Sequence, residues 1–179
     1  MTDEKQMHRE ELDSFSYRKM LTLLRELHAF LRDEMRSKSK RVLPFNEELF
    51  DRWEKASYMG FGEGTSIYDS SLVFGDVKVG ENTWIGPFTI LDGTGGLEIG
   101  SYCSISAGVQ IYSHDSVKWA ISGGDAPYEY APVKISDRCY VGPHAVISKG
   151  VTIGAGSIVG AHSLVQTDIP AGSKVVTHR

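Results

Sequence analysis

From Ile67 to about Val165 the chain repeats itself every six residues, and that period leaves few folds open. An aliphatic recurs at Ile67, Val73, Val79, Ile85 and Leu91, then, after a slip of two residues, at Ile99, Ile105 and Ile111. It returns at Ile135, Val141, Ile147, Ile153, Val159 and Val165, and no position in the series is polar. The following residue is often glycine (Gly80, Gly86, Gly100, Gly142, Gly154, Gly160). The fourth residue after the aliphatic is small or β-branched, as at Ser71, Thr83, Thr89, Cys103, Val109, Cys139, Ala145, Val151, Ser157 and Ser163. Six fits neither the 3.6-residue period of an amphipathic helix nor the two-residue period of a strand. It is the period of a parallel β-helix, in which each repeat supplies one short strand and one corner.

The physics of such a coil is simple. Three repeats close one triangular turn, and successive turns stack about 4.8 Å apart. The aliphatics point inward and stack in columns, each burial contributing roughly 1.5–3 kcal/mol. The small residue tucks into the corner, where a larger side chain would strike the next turn. The general rule for parallel crossovers gives a right-handed coil.

The 179 residues carry a formal charge of -4, with lysine and arginine scattered apart from one cluster, Arg36 to Arg41. That balance argues against a nucleic-acid partner. The polar start MTDEKQMHREE shows no secretory signal, and no run is long enough to span a bilayer, so the expected setting is cytoplasmic. Both cysteines, Cys103 and Cys139, fall on the small corner position one turn apart, and two buried thiols are expected there.

Residues 1–64 read as a helical N-terminal appendage and 65–179 as the β-helix domain. Leu12, Phe15, Met20, Leu23, Leu24, Leu27, Phe30, Leu31 and Met35 recur at helical steps between Glu10 and Met35. A second helix is expected from Asn46, a possible cap, to about Ala56. The coil departs from register twice. Asp92-Gly93-Thr94-Gly95-Gly96 gives one corner two extra residues, and residues 115–132 have no six-residue beat at all. Excising the latter joins Ile111-Tyr112-Ser113-His114 to Val133-Lys134 as a normal repeat, so the segment is a loop extruded from a corner directly after His114. A loop of that length, holding Trp119, Tyr128 and Tyr130, points to function.

His114 is the leading chemical candidate. A neutral imidazole is the natural general base near pH 7 and needs a partner to fix its tautomer. Asp115 follows it and is one candidate partner. Neighbouring side chains in an extended segment point opposite ways, so a backbone carbonyl or another acid remains equally open. His144 and His162 take the same corner position in successive turns and should stack, while His8, His28 and His178 should face solvent. Zinc would need three convergent histidines, and Trp119 stands five residues after His114, which disfavours a metal enzyme. A non-catalytic scaffold gives no reason for an aromatic loop opening at a histidine.

The repeats, the histidine opening the loop and the run Val151-Thr152-Ile153-Gly154 to Asp168-Ile169-Pro170 resemble the galactoside and maltose O-acetyltransferase group. Ile111 to Asp115, with Trp119, Ser122-Gly123-Gly124 and Tyr130-Ala131-Pro132, is more similar to acetyltransferases of surface-polysaccharide biosynthesis, of lipopolysaccharide or capsule. The resemblance implies a left-handed coil, a homotrimer, and acetyl-CoA as co-substrate in a groove between subunits, with no metal required. It implies His114 as the catalytic base, with Asp115 as its candidate orienter. Gly142, Gly160 and Ala161 match positions beside the pantetheine arm; Lys174 and Arg179 are candidates for the CoA phosphates. Trp119, Tyr128 and Tyr130 would offer faces to a sugar. The polar acceptor-binding residue of the galactoside group falls at Ile85 here, leaving Asp92 as the candidate for a sugar hydroxyl. The implied reaction is O-acetylation of a sugar, and the alternative is N-acetylation of a nucleotide-linked amino sugar.

Overall fold

In the computed structural model, residues 14–176 are described. The chain groups into two compact units, Met1–Leu49 and Phe50–Arg179. In the first, α1 (Ser14–Ser39) is followed by the short α2 (Phe45–Leu49). His28 of α1 does not face solvent as expected: its Nε2 lies 3.2 Å from the Glu48 carboxylate, and its ring meets Phe45 edge-on. The start expected for α1 near Glu10, together with His8, lies outside the described residues.

The single helix expected from Asn46 to Ala56 is two. Asp51 breaks it and starts α3 (Arg52–Tyr58), its carboxylate accepting from the N–H groups of Trp53 and Glu54 at 2.9 Å. The expected appendage, 1–64, includes this helix, which instead groups with the second unit. Ala56 sits in the core, and Lys55 donates to the carbonyls of Tyr68, Asp69 and Ser71.

The second unit is a parallel β-helix. Its first face is a six-stranded sheet of β1 (Ser66–Ile67), β3 (Trp84–Ile85), β5 (Ser104–Ile105), β10 (Tyr140–Val141), β13 (Ile158–Val159) and β15 (Lys174–Val175). The second face stacks the starts of β2 (Leu72–Val79) and β4 (Ile90–Ile99) under β6 (Gln110–Ile111), β11 (Val146–Ile147) and β14 (Leu164–Val165). The third stacks the ends of β2 and β4 under β9 (Val133–Ile135) and β12 (Thr152–Ile153). The glycine-rich corner after Leu91 therefore does not interrupt a strand. It lets β4 run through the corner, paired with β2 across a register shift between Gly75 and Val77.

Every inward aliphatic expected from the repeat is buried except Val73, which is partly covered at the first turn. The corner positions behave as a second column. Thr83 and Ser71 donate their hydroxyls to the carbonyls of Gly100 and Gly86, and the thiols of Cys103 and Cys139 point at the carbonyls of Ser136 and Gly154. Both cysteines are buried and free, so at these four corners the donor is a hydroxyl or a thiol. Asn82, Phe88, Tyr102, Arg138, His144 and His162 occupy left-handed backbone at these corners, with φ between 51° and 59°. Such strain persists only where the stacked turns over-determine it.

The extruded segment is a structured excursion. Here β7 (His114–Asp115) pairs antiparallel with β8 (Glu129–Tyr130), and α4 (Val117–Ile121) lies between them. Ala131 N donates to Ser113 O, and Gly150 N donates to Ala131 O, which ties the returning strand to the coil on both sides.

Candidate active site

The candidate site lies at the corner between the second and third faces. Pairing of Leu91 with Ile111 sets Asp92 one turn below Tyr112 and its neighbours Ser113 and His114. The Asp92 side chain is 2% exposed, and its Oδ2 lies 2.6 Å from His114 Nδ1. An ionised carboxylate only accepts, so Nδ1 carries the proton and Nε2 keeps its lone pair. The His114 side chain is 33% exposed, and it lines a cleft of about 570 Å³ with Tyr112, Asp115, Ser116, Val117, Ser148, Lys149 and Gln166. Tyr112, Ser148 and Gln166 are stacked residues of successive turns, so the coil supplies one wall and the root of the loop the other.

A buried carboxylate needs donors. Asp92 receives the N–H and hydroxyl of Thr94, the N–H of Ser113 at 2.9 Å and the imidazole N–H. Burial by itself pushes its pKa up. The hydrogen bonds from Thr94, His114 and Ser113 outweigh that and hold it at about 2. The corner glycines have a function of this kind: Gly95 donates to Ser113 Oγ at 2.7 Å, and Gly96 takes a φ of 96°. The extra residues after Leu91 thus make a nest for one charge.

The structure reassigns both acids named from the sequence. Asp115 does not orient His114, because its side chain turns away from the ring in the extended strand. It pairs instead with Lys149 and accepts from Val117 N at 3.0 Å. Asp92 is not free for a sugar hydroxyl, because both its oxygens are taken by protein donors. The aromatic residues do gather at His114. Tyr130 lies 5.8 Å from its ring and Tyr128 6.4 Å, both near-parallel, and Trp119 packs edge-on against Tyr128.

Sequence reasoning missed the charges at the root of the loop. Lys149 Nζ lies between Asp115 and Glu129, 3.1 Å from Glu129 Oε2, and Lys118 closes on the other oxygen of Glu129. The Lys149 ammonium, then the Val117 N–H, hold Asp115 below the usual carboxylate range. Lys118 and then Lys149 do the same for Glu129, and the two carboxylates raise Lys149. The available signal was positional: Lys149 lies in the corner one turn above, at the position aligned with Ser113, the neighbour of His114.

Other candidates lie elsewhere. Gly142, Gly160 and Ala161 sit at the corner between the first and second faces, across the second face from His114. Stacking alone demands glycine at 142, since a Cβ there would lie 2.6 Å from Ala161 N and 2.8 Å from the Gly160 carbonyl carbon. His144 and His162 stack as expected at this corner, with ring centroids 5.1 Å apart. Lys174 is exposed on the first face, and Arg179 and His178 lie outside the described residues. Among the described residues no group of three His, Cys, Asp or Glu side chains could hold a metal ion, and no helix is long and apolar enough to cross a membrane.

A parallel β-helix of six-residue repeats, with a carboxylate-held histidine at one edge, defines the class. The family described as bacterial transferase hexapeptide (six repeats) matches residues 132–167. The matched residues lie inside the six-residue repeat that runs from Ile67 to Val165. Galactoside O-acetyltransferase of Escherichia coli is 29% identical over 112 residues, covering 51% of this chain and 55% of that one. The bifunctional protein GlmU of Syntrophomonas wolfei is 31% identical over 118 residues, covering 63% of this chain and 24% of that one. The chain thus spans about half the length of the first relative and a quarter of the second. Among solved structures, AntD, an N-acyltransferase from Bacillus cereus in complex with dTDP and 3-hydroxybutyryl-CoA, superposes with a TM-score of 0.54 at 21% identity. That superposition covers 68% of this chain and 83% of AntD, and it speaks for the fold.

Proposed function

We propose that the chain is an acetyl-CoA-dependent O-acetyltransferase acting on a sugar hydroxyl in the making of a surface polysaccharide, lipopolysaccharide or capsule. The observation that carries this reading is the Asp92–His114 hydrogen bond, which leaves Nε2 as an oriented base at the cleft. Nε2 takes the proton of an acceptor hydroxyl as its oxygen forms a bond to the acetyl carbonyl carbon. The resulting imidazolium is stabilised by the Asp92 carboxylate below it, and the same proton is returned to the leaving thiolate. Acetyl-CoA supplies an acyl group already activated as a thioester, so no covalent enzyme intermediate is needed. Tyr130 and Tyr128 beside the ring, with Trp119 behind, offer the flat apolar faces that a sugar ring packs against.

The co-substrate fits the opposite corner, where Gly160 and Ala161 present almost no side chain and Lys174 is an exposed cation nearby. Within one chain that corner and His114 border the second face from opposite sides. A homotrimer, in which a neighbouring copy sets one corner against the other, is therefore part of the proposal. So is the cytoplasmic setting, where acetyl-CoA is available.

The test is a transfer assay with radiolabelled acetyl-CoA against free sugars, lipid-linked glycans and nucleotide amino sugars. Label should appear on a hydroxyl as an alkali-labile ester. Label found only as an alkali-stable amide would move the reading to the N-acetyl alternative, and label on no acceptor would overturn it.

A further inference from the structure

In the loop hairpin Asp115 and Glu129 are direct cross-strand partners. Two like charges opposite one another destabilise an antiparallel pair. Here a single ammonium, from the coil and not from the loop, lies against both: Lys149 contacts Asp115 Oδ2 and Glu129 Oε2. The side chains are only 25% and 35% exposed, so solvent screens this cluster incompletely. The next rung of the same hairpin is His114 opposite Tyr130, the pair whose rings lie 5.8 Å apart. Behind it, Gly150, adjacent to Lys149, donates its N–H to Ala131 at the end of the loop.

We propose that Lys149 is a positioning residue, a clasp that closes the acceptor loop onto the coil and thereby sets Tyr130 over the base. With Lys149 in place, the two carboxylates are balanced by the ammoniums of Lys149 and Lys118, and the His114–Tyr130 rung forms in register. Without it, Lys118 balances only one of the two carboxylates, one negative charge is left uncompensated across the hairpin, the strands part, and the aromatic wall leaves the imidazole. Lys149 needs no contact with substrate for this. Lys118, on the far side of Glu129 and carried by the loop itself, cannot anchor the hairpin to the coil.

The test uses the full chain and two readouts. Amide hydrogen exchange across 115–131 should rise about tenfold in Lys149→Met while exchange across the coil stays unchanged. Lys149→Arg should keep the loop protected, and Lys149→Met/Asp115→Asn/Glu129→Gln should return it to within about threefold of the parent by removing the repulsion. In the transfer assay Lys149→Met should raise the acceptor KM about tenfold while leaving the KM for acetyl-CoA within about twofold. Unchanged loop exchange in Lys149→Met overturns the clasp. So does failure of the triple variant to recover, which would make Lys149 a cation needed for its own sake. The exchange readout is independent of the reaction; only the kinetic one rests on the acetyl-transfer reading. A chain inert with every acceptor, whose loop exchange still follows this order, sinks that reading and leaves the clasp.

Discussion

The edge carrying His144 and His162 and the edge carrying His114 border the same face of the coil, yet the turn beneath each edge differs. Below His144 lies Gly108, and a Cβ at that position would run into the His144 ring. The two imidazoles there stack on each other over backbone, exposed, in a corner of standard length. Below His114 the corner is two residues longer, and it holds Asp92 buried among five donors. His114 is held by a carboxylate because the turn below it gives up regular geometry to seat a charge. The residue type alone is the same at both edges.

That contrast can be broken at either edge. The largest effect expected is at His114. His114→Ala should lower kcat for acetyl transfer about a thousandfold with the coil intact, measured by steady-state kinetics and circular dichroism. Next, Asp92→Asn should cost about a hundredfold in kcat, because the amide no longer fixes the tautomer or stabilises the imidazolium. Combined with His114→Ala it should add almost nothing, since the two act as a unit.

Smaller, and independent of any substrate, is the effect of acid. The Asp92 pKa is lowered from 3.8 to about 2 in the fold, so its contribution is fully present above about pH 4 and disappears as pH falls through about 2. The stability gap between the parent and Asp92→Asn, roughly 2 kcal/mol at neutral pH, should therefore close across that window in urea titrations. A gap that stays constant to pH 2 would mean that Asp92 is not held as a carboxylate. Smallest of all, His162→Ala should change kcat by less than about threefold. A loss comparable with that of His114→Ala would end the contrast between the two edges.

Much of the coil was legible before any coordinates. The inward column, the small corner column, the stacking of His144 on His162, the burial of both cysteines and the excision point after His114 all follow from register arithmetic. They were readable because a β-helix converts sequence spacing directly into position: each residue's neighbour lies a fixed number of residues away. The helical region was less legible. Nothing in a hydrophobic stripe announces that Asp51 will restart a helix or that Glu48 will draw His28 inward.

The site divides the same way. Sequence alone determined that His114 stands at a corner where a loop leaves the coil and that Trp119, Tyr128 and Tyr130 travel with that loop. Only the tertiary structure decided which acid serves the imidazole. Asp115 is adjacent in sequence, but an extended backbone points it to Lys149; Asp92 is 22 residues away and lies directly beneath the ring. Periodicity fixes neighbours wherever the repeat holds. At the two places where the repeat lapses, the positions of charges are set by which buried donors can satisfy them, and that is a property of the folded corner and not of the spacing.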